Sequence, residues 1–185
     1  MTVPIACALP IIQAAWVVDD LDAAMAGWIA LGVGPFFTFE VDMPEALYRG
    51  APAPLRFRGA LAQAGDMQIE LIQQTSDGPS AYRDVVPKGQ SGFHHICRAY
   101  GAYDETIAQL RAQGVAPATE ARPGGARVCY ADTRAQLGCM LEVLDANPAA
   151  DALSGLVRRG ADGWDGRDPV REVDFTVLLS VNARR

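Results

Sequence analysis

Residues 11–18 are almost continuously apolar and read as a buried strand. Asp19 and Asp20 follow as helix N-cap candidates. Leu21, Met25, Trp28 and Leu31 then recur at helical spacing until Gly32-Val33-Gly34-Pro35 breaks the pattern. Residues 36–41, 55–63 and 67–73 read as strands, the last two joined by a turn at Ala64-Gly65-Asp66. The same order returns from Phe93: an apolar strand over 93–100, a helix over 103–113 closed by Gly114, strands near 115–120 and 126–131 around a turn at Gly124-Gly125, and a last strand around Glu142. The chain therefore reads as two copies of one βαβββ unit. The spans from Gln13 to His95 and from Glu70 to Glu142 are 82 and 72 residues. The difference is about the length of the Pro-rich segment 43–54, which only the first copy carries. Past Asp145 the repeat is lost. Residues 151–159 look helical, 163–166 form a turn, and 175–181 are a candidate strand. The domain reading is a first module over 9–75 with its insertion, a linker over 76–92, a second module over 93–147 and a C-terminal extension over 148–185.

Within this repeat four residues occupy matched places: Gln13, Glu70, His95 and Glu142. Each glutamate sits in the middle of an apolar strand, where a carboxylate is costly to bury without a partner. A cation between the halves would satisfy both. An arginine such as Arg58 or Arg127 would also serve. Strand side chains alternate between faces. With Gln13 facing the inside of a curved sheet, Ala15 and Val17 face inward too, while Ile12, Ala14 and Trp16 face the helices. His95 then faces inward with Cys97, and His94 is expected to point the other way. One imidazole, two carboxylates and an amide oxygen suit Zn²⁺, Ni²⁺, Co²⁺, Mn²⁺ or Mg²⁺ better than a metal selected by thiolates.

Composition narrows the field. The chain has 185 residues, half of them hydrophobic, enough for one core or two small fused modules. A net charge of −6 argues against a nucleic-acid binder, which needs a basic face. No apolar run approaches the ~20 residues of a membrane span, and the start lacks a basic n-region. The four cysteines show no C-x-x-C spacing, which fits a reduced, cytoplasmic setting.

The stretches Val17-Val18-Asp19-Asp20-Leu21, Ile69-Glu70-Leu71-Ile72 and Phe93-His94-His95-Ile96-Cys97 resemble segments of the vicinal-oxygen-chelate superfamily, which includes glyoxalase I, methylmalonyl-CoA epimerase and bleomycin-resistance-like proteins. The resemblance covers residues 9–147. It implies an α+β fold of paired βαβββ modules forming a curved, cup-shaped mixed sheet, the glyoxalase/bleomycin resistance fold. It implies metal ligands at Gln13, Glu70, His95 and Glu142, in the order seen in some glyoxalase I enzymes. The epimerase pattern usually has His at the position of Gln13, often Gln at that of Glu70, and a second acidic group where Arg58 stands. The implied activity is that of a divalent-metal-dependent lyase, isomerase or epimerase. It would remove a proton next to a carbonyl of a small substrate through an enolate or enediolate, with Glu142 or Glu70 as base. The alternative is a metal-free small-molecule binding protein of the bleomycin-resistance kind, its glutamates paired with arginine. A homodimer is expected, with no nucleic-acid or membrane partner. The insertion 43–54 is expected to form a lid over the cup, with Arg49 or Arg58 meeting a negatively charged substrate group.

Overall fold

The structure is a computed structural model of the full chain, described for residues 10–98 and 103–173. The first module runs β1 (Ile11–Val17), α1 (Leu21–Ala30), β2 (Phe36–Met43), β5 (Leu55–Ala64) and β6 (Met67–Gln74). The second runs β7 (Gly92–Arg98), α3 (Tyr103–Ala112), β8 (Pro117–Ala121), β9 (Val128–Ala131) and β10 (Met140–Leu144). Their strands lie in the order β2-β5-β6-β1 and β8-β9-β10-β7, so each copy repeats the same ladder. Antiparallel pairing of β1 with β7 joins them into one mixed sheet. The expected α+β architecture of paired βαβββ units is what forms.

Strand alternation divides the apolar residues into three clusters. One lies under α1 and includes Leu21, Met25, Ile69 and Leu71. Another lies under α3 and includes Ile107, Leu110, Leu141 and Val143. The third fills the concave side of the sheet and takes the opposite phase of the same strands: Phe39, Phe57 and Leu61 from the first module, Val128, Tyr130 and Met140 from the second. Asp20 caps α1 by accepting from the Ala23 amide, as its position suggests. Leu31, expected on the apolar face of α1, lies past the helix end and is 78% exposed.

Several segments differ from the sequence reading. The insertion is not a loop over the cup. It forms a short hairpin, β3 (Leu47–Tyr48) and β4 (Ala51–Pro52), and β3 pairs with the outer edge of β8. The first module thus reaches across to the far edge of the second and covers a strand edge that would otherwise lie open. Arg49 turns the hairpin with φ +49°. Its guanidinium bonds Asp84 at 2.6 Å and Asp132 at 2.9 Å, and the Tyr48 hydroxyl donates to Asp84 at 2.8 Å. The linker holds a helix, α2 (Ala81–Val85), and a second short helix, α4 (Arg134–Leu137), precedes β10. The extension forms α5 (Pro148–Ala161), capped by Asn147, with Leu153 and Val157 buried against the concave side. A short strand, β11 (Val170–Glu172), pairs with β2. The candidate strand over 175–181 lies outside the described residues.

Candidate metal centre and cup

Register on the sheet assembles the site. Glu70 and His95 both pair with Ala15 of β1, from opposite sides. Gln68 and Cys97 pair with Gln13 in the adjacent row, and Cys97 pairs onward with Glu142. Alternation turns both rows into the cup. His95 Nε2 lies 3.4 Å from Glu70 Oε2 and 3.4 Å from Glu142 Oε2, and all three residues are buried. Their potential ligand atoms lie within 4.8 Å of one another. Gln13 is buried and lines the cup beside them. Gln68 lines it too and was missed from sequence, although it shares the face of Glu70 two residues away.

The second histidine departs from expectation. Strict strand alternation puts His94 on the opposite face, but it is fully buried on the same side as His95. The cause is a β-bulge: Ala15 pairs with His95 while the next residue, Trp16, pairs with Phe93, so His94 has no partner on β1. A bulge interrupts alternation and re-aims side chains. His94 Nε2 lies 2.9 Å from the Ala81 carbonyl, and its Nδ1 lies 2.8 Å from His95 Nδ1. A carbonyl only accepts, so His94 carries its proton on Nε2 and its Nδ1 is the acceptor. His95 Nδ1–H donates to it. The chain of bonds leaves His95 Nε2 as the atom offered to the glutamates. Burial, then the charge of His95, pushes the His94 pKa down to about 3, so it stays neutral in this role.

Electrostatics centre on the same atoms. Burial opposes charging of His95, but Glu142 and then Glu70 outweigh it and hold its pKa up at about 9. Burial raises the Glu70 pKa, helped by the charge of Glu142, against the lowering effect of His95. Glu142 is also penalised by burial, but His95, Cys97 and Tyr130 together bring its pKa below the usual value. Glu70 Oε2 and His95 Nε2 are buried without a hydrogen-bond partner. Without metal, a protonated His95 offsets part of the cost of burying the two carboxylates, while atoms left short of a hydrogen bond still cost about 1–3 kcal/mol each. Donors held about 2.0–2.2 Å from a tetrahedral ion lie about 3.3–3.6 Å from one another, and the 3.4 Å separations match. The residues therefore fit a divalent cation. Among the described residues, neither glutamate has an arginine or lysine within ion-pair distance. Arg127 instead pairs with Asp104 and Asp145, and Arg58 with Asp22.

The cup above these ligands has a volume of about 290 Å³. Its walls come from both modules and from α5, which contributes Ala149, Ala150 and Leu153. Arg49 and Arg58, expected to meet substrate, do not line it. Arg49 is held at the hairpin by Asp84 and Asp132. Arg58 alternates with the inward-facing Phe57 and projects from the α1 side of β5 towards Asp22 and Gln73.

A single-chain pair of βαβββ modules around a buried Glu-His-Glu set that could hold a metal ion defines a class of cup-shaped proteins. A family model described as Glyoxalase/Bleomycin resistance protein/Dioxygenase superfamily matches residues 12–130, and the chain belongs to that superfamily. No curated protein matches the chain significantly. Among solved structures, it is similar to a methylmalonyl-CoA epimerase from Mycobacterium tuberculosis, with TM-score 0.51 and 18% identity, covering 77% of this chain and 91% of that one. It is also similar to a hypothetical protein from Bacillus halodurans, with TM-score 0.50 and 17% identity, covering 76% and 96%. These likenesses show a shared fold. Among the described residues no helix is long and apolar enough to cross a membrane.

Proposed function

We propose that the protein is a divalent-metal-dependent enzyme of the glyoxalase type, a lyase, isomerase or epimerase acting on a small carbonyl compound. The observation that carries this reading is the buried Glu70–His95–Glu142 set, whose unpartnered Nε2 and Oε2 atoms point at one another across 3.4 Å. A bound divalent cation would supply Lewis-acid polarisation of the substrate carbonyl. Glu70, His95 and Glu142 would hold it, with Gln13 as a weaker fourth ligand.

The chain's own residues divide the remaining work. Glu142 is steadied by His95, Cys97 and Tyr130 and acts as a fixed anionic anchor. Glu70, whose Oε2 has no hydrogen-bond partner within the protein, lines the cup and, once loosened from the metal, is the better placed to take a proton from carbon next to the carbonyl. The apolar walls exclude water, which would otherwise reprotonate the carbanion without control. The metal-free binding alternative pairs the glutamates with arginine, and the two arginines it names, Arg58 and Arg127, are engaged elsewhere.

The test is a melting curve of chelator-treated protein with and without Mn²⁺ or Zn²⁺. Binding at ~100-fold excess over the dissociation constant raises stability by about 2.7 kcal/mol. Absence of any metal-dependent shift refutes the proposal.

A further inference from the structure

We infer that the cup selects an uncharged, largely apolar carbonyl compound and rejects anionic ones. The inference rests on the proposed metal-dependent reading of the same site and adds the charge class of the substrate. Among the described residues lining the cup there is no lysine and no arginine. The inner phase of β2 and β5 supplies Phe39, Val41, Phe57 and Leu61. Glu40 and Asp42 also border the cup, but they belong to the opposite phase, are exposed, and lie across the ladder from Arg58 and Arg56. Among the described residues of the inner phase, Glu70 and Glu142 carry the charge.

Four arginines around the modules are tied to carboxylates. Arg49 is tied to Asp84 and Asp132, Arg58 to Asp22, Arg127 to Asp104 and Asp145, and Arg134 to Asp132. The α5 wall adds only small, apolar or neutral polar residues, while its Arg158 and Arg159 are exposed beyond the cup. Two carboxylates and one divalent cation sum to zero. An uncharged substrate keeps that sum, and so does moving its proton to a glutamate, since the charge gained by substrate is lost by the base. A carboxylate or phosphate on the substrate would add one unmatched charge in an apolar enclosure, which is strongly disfavoured. The volume of about 290 Å³ lies at the small end of ligand cavities, which run from about 300 to 1,000 Å³.

The experiment is isothermal titration of the full chain, with and without Mn²⁺, using two pairs of probes matched in size but not in charge. One pair is 2-hydroxyacetophenone and mandelate, the other acetoin and lactate. The expected result is neutral-probe affinity on the order of 10-fold or more above that of the matched anion. Ser154→Lys, on the α5 wall, places a cation at the cup and should narrow that ratio while leaving the Mn²⁺-induced melting shift unchanged. Equal or tighter binding of the anion overturns the inference, as does failure of both neutral probes to bind. A normal Mn²⁺ shift in that case leaves the metal reading standing. Neutral preference without any Mn²⁺ shift supports the inference and overturns the metal reading alone.

Discussion

The sharpest prediction concerns His94, which touches neither glutamate yet sets the atom that His95 offers. Replacing it with Phe removes two bonds, the 2.8 Å contact to His95 Nδ1 and the 2.9 Å contact to the Ala81 carbonyl. Both surviving groups are left buried, at about 1–3 kcal/mol each, so the melting temperature should fall. Loss of the group that orients a ligating imidazole typically costs about 10–100-fold in metal affinity, or about 1.4–2.7 kcal/mol. Mn²⁺ titration by calorimetry should show that loss in His94→Phe, and near-complete loss of binding in His95→Ala. His94→Asn separates positioning from packing. Its Oδ1 falls where Nδ1 was and can accept from His95, but its amide does not reach Ala81. That variant should be destabilised yet bind Mn²⁺ within a few-fold of the parent. The chain has only two histidines, so two-bond ¹H–¹⁵N spectra can read both tautomers directly. Folded His94→Phe with unchanged Mn²⁺ affinity would refute the relay, and so would Asn and Phe variants equally impaired in binding.

Other outcomes follow from the same geometry. Glu70→Gln and Glu142→Gln keep volume but remove charge, so each should weaken Mn²⁺ binding without unfolding the chain. In the absence of metal the Glu70 change should leave the melting temperature unchanged or higher, since burial already disfavours its carboxylate. Arg49→Ala should lower stability by about 1 kcal/mol, since a 40%-exposed guanidinium is partly screened, and leave Mn²⁺ affinity untouched; a change in metal affinity would show that the hairpin acts on the cup after all. Arg134, and secondarily Arg49, holds the Asp132 carboxyl below its ordinary range against the opposing effect of burial. A depressed carboxylate stabilises the fold fully above its unfolded value of about 3.9 and loses that contribution as pH falls below it. Acid melting curves should therefore be flatter below pH ~4 in Asp132→Asn than in the parent, and parallel curves would remove Asp132 from the account.

How much of this could be read from the chain depends on the range of the interaction that decides each feature. Glu70 and Glu142 were legible because two local facts coincide: a carboxylate in an apolar strand, and the same position in a repeated unit. Gln68 was within reach of the same rule, as the residue two places from Glu70 on the same face. His94 was not, because the bulge that turns it inward depends on the register between β7 and β1, strands that lie far apart in sequence. Arg49 and Arg58 were misplaced for two different reasons. Arg58 follows from alternation once Phe57 is placed inside, so the pattern contained the answer. Arg49 needed the pairing of the hairpin with β8, a contact between the two modules that no periodicity announces. The same holds for the covering element. Proline in the insertion suggested a stiff lid, yet that segment is consumed in closing a sheet edge. The wall it was expected to provide comes instead from α5, which lies beyond the repeat. The duplicated scaffold therefore fixes where the ligand atoms converge and supplies apolar walls from both copies, while α5, outside the duplication, completes the enclosure. The charge of the ligand should accordingly change with substitutions on α5, such as Ser154→Lys, and not with changes to the insertion.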